Sequence, residues 1–151
     1  VLDFLLAPEG AAFGLGGLFL LSFLAATLLP GGSEAALVAF ILAHPEQMPM
    51  AFVLATTGNT LGGMSTYAMG RLLPQKVGAG ATADSLKHLK YRVALQRHGT
   101  LLLLLAWTPV VGDALCAAAG WLRLPWLPSA LWMVLGKGLR YAVLIGGMAA
   151  L

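Results

Sequence analysis

Leu29-Pro30-Gly31-Gly32-Ser33-Glu34-Ala35 and Thr108-Pro109-Val110-Val111-Gly112-Asp113-Ala114 repeat one pattern about eighty residues apart. In each, a helix-breaking proline stands four residues before an acid, inside sequence that otherwise reads as lipid-soluble. Proline removes a backbone donor, glycine permits irregular backbone, and a carboxylate in hydrocarbon is costly. Two matching insertions of this kind mark where function should be sought.

The surrounding composition sets the solvent. Of 151 residues, 59% are hydrophobic and only 10% charged, and the mean hydropathy is +0.85, outside the usual range of a water-soluble domain. The expected class is an all-α integral membrane protein, a single membrane domain over residues 1–151. No hydrophilic stretch is long enough for a second, soluble domain. The lone cysteine, Cys116, excludes an internal disulfide and sits in an apolar run of small residues, where a buried thiol is expected. The first basic residue is Arg71, so a cleavable signal peptide is not expected ahead of the early apolar run. The chain opens on Val1, which points to a trimmed start.

Working outward from the first break, residues 11–29 form an apolar run that could cross most of a bilayer, but the return from Glu34 to Ala43 is short. At about 1.5 Å per residue that return reaches roughly halfway across the hydrocarbon. A re-entrant helical hairpin is therefore expected, with Pro30, Gly31 and Gly32 at its tip, buried against protein. His44-Pro45-Glu46-Gln47-Met48-Pro49 follows as a polar surface turn, and Met50 to Leu73 reads as a full span ended by Arg71 and Pro74. The first half thus covers about 11–73.

After a hydrophilic segment, 75–99, the second half (about 100–151) repeats the order. Thr100 to Thr108 is apolar; the break at Pro109 and Gly112 is the second tip; a short return runs through Leu122; Arg123-Leu124-Pro125-Trp126 makes a turn; and a final span starts near Leu127. Pro30 to Gly58 is 28 residues and Pro109 to Gly136 is 27. Beyond those points Gly58, Gly62, Thr66 and Gly70 form one small-residue stripe, and Gly138, Ala142, Gly146 and Ala150 another. Such stripes let helices approach closely in a membrane. The oligomeric state stays open, with a homo-oligomer among the alternatives.

Charge supplies orientation. Lys76, Lys87, Lys90, Arg92 and Arg97 lie between the halves and Arg123 at the second turn, whereas Asp3, Glu9 and Glu46 mark the other side. By the positive-inside rule the central segment is cytoplasmic. The hairpins then enter from opposite faces, an inverted repeat of two re-entrant hairpins, each followed by a transmembrane helix. Within the central segment Leu86, Leu89 and Val93 share one helical face and Lys87, Lys90 and Arg97 another. It should lie on the inner surface, either gathering anionic head groups or serving as an ordinary positive-inside loop. His44, His88 and His98 lack metal-ligand spacing, and no metal or other cofactor is expected. Trp121 and Trp126 suit an interfacial belt, Trp107 is expected deeper, lining a cavity, and Trp132 lipid-facing or in the core.

The sharper signal is four charges inside apolar sequence: Glu34, Asp113, Lys137 and Arg140. Uncompensated at a helix centre, each would cost about 2.5–3.5 kcal/mol. They should pair or line a wet cavity. Lys137 and Arg140 share a helix face, so they are expected to bind an anionic head group, aided by Arg71. Glu34 and Asp113 are expected to be proton- or ion-coupling carboxylates, with Asp113 nearer the substrate. The alternative is a charge network that only locks hairpins to helices.

These stretches resemble the DedA superfamily of membrane proteins (the VTT-domain, SNARE-associated type), and closely its YqaA-like branch. The similarity rests on Thr27-Leu28-Leu29-Pro30-Gly31-Gly32-Ser33-Glu34, on Gly58-Asn59-Thr60-Leu61-Gly62-Gly63 with Gly70-Arg71, and on Trp107-Thr108-Pro109-Val110-Val111-Gly112-Asp113. Ala119-Gly120-Trp121-Leu122-Arg123 and Gly136-Lys137-Gly138-Leu139-Arg140-Tyr141 complete it, so most of the chain is covered. The resemblance implies two opposed re-entrant hairpins and a lipid-handling protein of the bacterial inner membrane. Relatives include carriers of lipid-linked phosphates and phospholipid scramblases, some of them proton-coupled. The family's acid after the first proline corresponds to Glu34, and its glycine-rich span ending in arginine to Gly58 through Arg71. Many members carry an arginine in the second hairpin where this chain has Asp113; Lys137 and Arg140 are expected to supply that positive charge.

Other classes fit less well. Val111-Gly112-Asp113 matches only part of the Gly-x-Gly-Asp signature of intramembrane aspartyl proteases, with Val110 in place of the first glycine. No other hydrolase, metalloprotease or phosphate-loop motif occurs, so no enzyme is expected. The expected function is transport or scrambling of an anionic phospholipid or polyprenyl phosphate between leaflets, with membrane lipids as partners and no nucleic acid. The alternative is a membrane-organising, structural protein.

Overall fold

The acid of each break lies in the first turn of a helix: Glu34 in α2 (Ser33–Ala43) and Asp113 in α4 (Val111–Trp121). There a carboxylate faces unpaired amides and the positive end of the helix dipole, worth about 0.3–1 kcal/mol. Both return helices have 11 residues, about 16 Å of rise. In the computed structural model, residues 8–27, 32–74, 97–108 and 111–150 are described, with side chains from residue 14 onward. Pro30, Gly31, Pro109 and the central segment 75–96, with Lys76, Lys87, Lys90 and Arg92, lie outside the described residues.

The other helices are α1 (Pro8–Ala25), α3 (Met48–Leu72) and α5 (Trp126–Ala149), with 3-10 helices at Pro45–Gln47 and Gly99–Trp107. The described residues contain no strand, so the fold class is all-α. Pro49 sits in the first turn of α3, where its missing N–H is not needed, and Leu73 is already extended ahead of Pro74. The second half's first arm is the nine-residue 3-10 helix Gly99–Trp107. At about 2.0 Å per residue it reaches roughly 18 Å, against roughly 14 Å for an α-helix of that length.

Packing follows the repeat. Each first arm lies on the long helix of its own half, α1 on α3 and the 3-10 arm on α5, and α3 also packs against α4 and α5. The matching glycines make these contacts. A Cβ at Gly58 would come within 2.5 Å of the Phe19 carbonyl oxygen, and one at Gly136 within 2.7 Å of that of Leu104. Gly62 abuts the Phe23 carbonyl, and Gly70 and Gly120 close the α3–α4 contact against Ala117 and Tyr67. The second stripe behaves differently from expectation. Gly138 has only ordinary contact with Thr56, and Gly146 has nothing within 4 Å, because the stripe turns outward and Gly136 makes the close approach instead.

The long helices run in opposite senses past two apolar clusters. On α3, Ala51 and Ala55 belong to the cluster around Leu37 and Tyr141, and Tyr67 to that around Cys116 and Met133. Along α5 the order is reversed, Met133 before Tyr141. Asn59 and Lys137 occupy the middle of the two buried stripes. The outer surface is apolar instead: Leu135, Leu139 and Val143 are more than half exposed, while Lys137 is 1% exposed. That is the reverse of a protein folded against water. Among the described residues no helix is both long and apolar enough to cross a membrane. The spans expected at Met50–Leu73 and from Leu127 have the length, 25 and 24 residues. Thr56, Asn59 and Thr60 on α3, and Lys137 and Arg140 on α5, dilute their apolarity.

Candidate functional site

The four charges set in apolar sequence come together as two ion pairs. Lys137 Nζ lies 3.4 Å from Asp113 Oδ1, and Arg140 Nη2 is in direct contact with Glu34 Oε1. The spacing of three on α5 directs both cations to one side of the helix, while α2 and α4 present the acids.

Two residues that sequence reasoning did not single out link the pairs. Lys137 Nζ donates to Asn59 Oδ1, and Asn59 Nδ2 donates to Ser33 Oγ at 3.4 Å and to the Ser22 carbonyl at 3.2 Å. Ser33 Oγ also accepts from Arg140 Nη2 at 3.3 Å. The result is a continuous chain, Asp113–Lys137–Asn59–Ser33–Arg140–Glu34, drawing on α2, α3, α4 and α5. The signal for Asn59 was in the repeat count: it follows Gly58 as Lys137 follows the matching Gly136, and the two equivalent positions meet.

The two ends of this chain differ. Lys137 is 1% exposed and bonded to both Asp113 and Asn59, whereas Arg140 is 12% exposed; their acids are similarly exposed, Asp113 at 28% and Glu34 at 22%. Around Ser33, Arg140 Nε is buried without a hydrogen-bond partner, and the Ser22 and Tyr141 hydroxyls, which lie beside each other and Ser33, make no hydrogen bond of normal geometry. Buried polar groups are normally paired, so unpaired ones ask for a reason. Here the unpartnered groups include a guanidinium N–H and two hydroxyls, a set of donors suited to an oxyanion. These atoms lie at the Glu34 end of the network.

Two other expectations change, for Arg71 and Trp107. Arg71 does not join Lys137 and Arg140: it stands twelve residues beyond Asn59 on the same helix, about 18 Å along its axis. Trp107 is 42% exposed and does not line the network, while Trp132 packs partly buried against the Cys116 cluster. Gly112 touches the Ala106 backbone, as a tip residue against its arm would, and Gly32 has ordinary space.

Comparison with known proteins agrees with this architecture. Residues 29–149 match the VTT domain. The inner membrane protein YqaA of Escherichia coli is 44% identical over 130 residues, 86% of this chain and 87% of that protein, and its counterpart in Shigella flexneri gives the same figures. An uncharacterized protein of Haemophilus influenzae is 42% identical over 137 residues, 85% of this chain and 83% of its own length. No solved structure matches. Since the matched region takes in both proline breaks, both return helices and every member of the charge network, the chain belongs to the VTT-domain (DedA) family.

Proposed function

We propose that the chain is a bacterial inner-membrane protein that moves an anionic lipid, a phospholipid or polyprenyl phosphate, between leaflets without making or breaking a bond in it. The observation that carries the reading is the Arg140 end of the network, where a buried guanidinium and the Ser22 and Tyr141 hydroxyls retain unpartnered polar atoms. Lipid phosphate is the anion a bilayer offers. Protonation of Glu34 would free Arg140 for it, and ionisation would return the ion pair and release it, so the cycle would be proton-coupled. Lys137 and Asp113 complete the charge balance.

Two observations support re-entrant hairpins in an inverted repeat. The return helices have the length of half a bilayer core, and the long helices pass the same clusters in opposite order. In this arrangement the central basic segment is cytoplasmic and the network lies near the midplane. A second reading, a membrane-organising protein with an architectural charge network, is favoured by the fact that each acid already has its cation.

Lipid flux in vesicles of purified protein separates them. Transport predicts that Glu34→Gln lowers flux at least tenfold, about 1.4 kcal/mol in barrier terms, with thermal stability kept, and that Arg140→Ala loses flux well beyond its loss of stability. Parallel loss of stability and flux supports the architectural role. Flux that ignores a pH gradient removes the coupling role of Glu34.

A further inference from the structure

We infer that Arg71 and Arg123 form a second, surface site for the phosphate of an anionic lipid, where α3 ends and α4 turns into α5. The inference rests on the chain being embedded in a bilayer, as proposed above, but not on its moving lipid.

Two contacts bring the arginines together. Arg71 Nη1 donates to the Tyr67 hydroxyl at 2.8 Å, and that hydroxyl donates to the carbonyl of Leu124, the neighbour of Arg123. On the backbone side Gly120 lies directly against Tyr67 and Arg71: a Cβ there would stand 3.0 Å from the Arg71 nitrogen. The Gly120 carbonyl in turn accepts the Arg123 N–H at 2.9 Å. Both arginine side chains are exposed, and among the described residues neither has a carboxylate partner.

The backbone adds an independent observation. Arg123 has a φ of 55°, in the left-handed region, where α4 is closed by the Leu124 N–H to Ala119 bond at 3.0 Å. Glycine is the residue this closing position favours. A charged side chain kept there in strain is explained if the charge is used. Its surroundings select the occupant: Trp121 and Trp126 are 44% and 62% exposed and Leu72 is 85% exposed, the mixture that sits at head-group level in a bilayer. Two exposed guanidinium forks carried by segments that meet at this level fit a phosphodiester.

The test is retention of phosphatidylglycerol against phosphatidylcholine by the purified full chain in detergent, read by native mass spectrometry. The expected result is preferential retention of phosphatidylglycerol, reduced about fivefold in Arg123→Gly, the loss of one basic contact, with an unchanged or higher melting temperature because glycine suits the turn. Arg71→Gln should act alike, and the double variant should lose more of the preference than either single variant. Unchanged preference in Arg123→Gly overturns the site. Displacement of phosphatidylglycerol by inorganic phosphate at equal concentration overturns its assignment to lipid. The two proposals fail separately: flux lost in Arg140→Ala with lipid preference unmoved in Arg123→Gly sinks only this site. Preference lost in Arg123→Gly without any flux in the parent protein sinks only the transport reading.

Discussion

Asp113 and Glu34 occupy corresponding places after the two proline breaks and each pairs with a cation of α5, yet the two pairs are built for different work. Lys137 is sealed in, with Asp113 and Asn59 as acceptors, beneath the Cys116 and Met133 cluster. Arg140 is less buried, shares Ser33 with Asn59, and keeps Nε unpartnered. Buried charge is tolerated in hydrocarbon when it is fully paired, and is useful when it is not. The first pair therefore fixes α4 and α3 to α5, and the second leaves donors to spare.

The largest effect that could break this contrast is on stability. Lys137→Met should cost about 3 kcal/mol, because the buried Asn59 Oδ1 and the partly exposed Asp113 both lose their donor. Arg140→Met should cost about half as much, since Arg140 is itself less buried than Lys137 and Ser33 keeps its bond from Asn59. Denaturant titration in detergent reads both; equal losses would erase the distinction between a structural and a functional pair. Next comes the contact that seats the arms. Gly58→Ala and Gly136→Ala should each cost about 2 kcal/mol, because the added methyl meets a backbone carbonyl and not a flexible side chain. A neutral Gly136→Ala with a costly Gly58→Ala would mean that the halves are not packed alike.

Much of this was legible. The apolar composition, the short returns and the repeated break fix an all-α chain with two paired arms, and counting from each proline reached Gly58 and Gly136, which do touch equivalent arms. The four charges were found because hydrocarbon makes each conspicuous. What sequence hid was polar without being charged. Asn59 and Ser33 cost little in a membrane helix and so raise no flag, although they join the two pairs. Counting glycines alone also misjudged α5: Gly138 and Gly146 have the spacing of a packing stripe, but spacing does not say which face a helix turns inward. Nothing in Gly99–Trp107 announces a 3-10 helix, and Arg71, read as a substrate cation from its charge, is removed from the network by the rise of its own helix.

Ser33→Ala is the smaller and more discriminating change. Its hydroxyl accepts from Asn59 and from Arg140, so it is the atom through which the two pairs are joined. Removing it should cost about 1 kcal/mol, the worth of an ordinary buried hydrogen bond. Its value lies in a cycle: the combined loss in Lys137→Met/Arg140→Met should differ from the sum of the single losses when Ser33 is present, and should match the sum within about 0.5 kcal/mol when it is alanine. Additivity in both backgrounds would mean that the pairs act independently and that the chain of contacts is a coincidence of packing. Coupling that persists without Ser33 would move the link to the α5 backbone itself, where Lys137 and Arg140 are one turn apart.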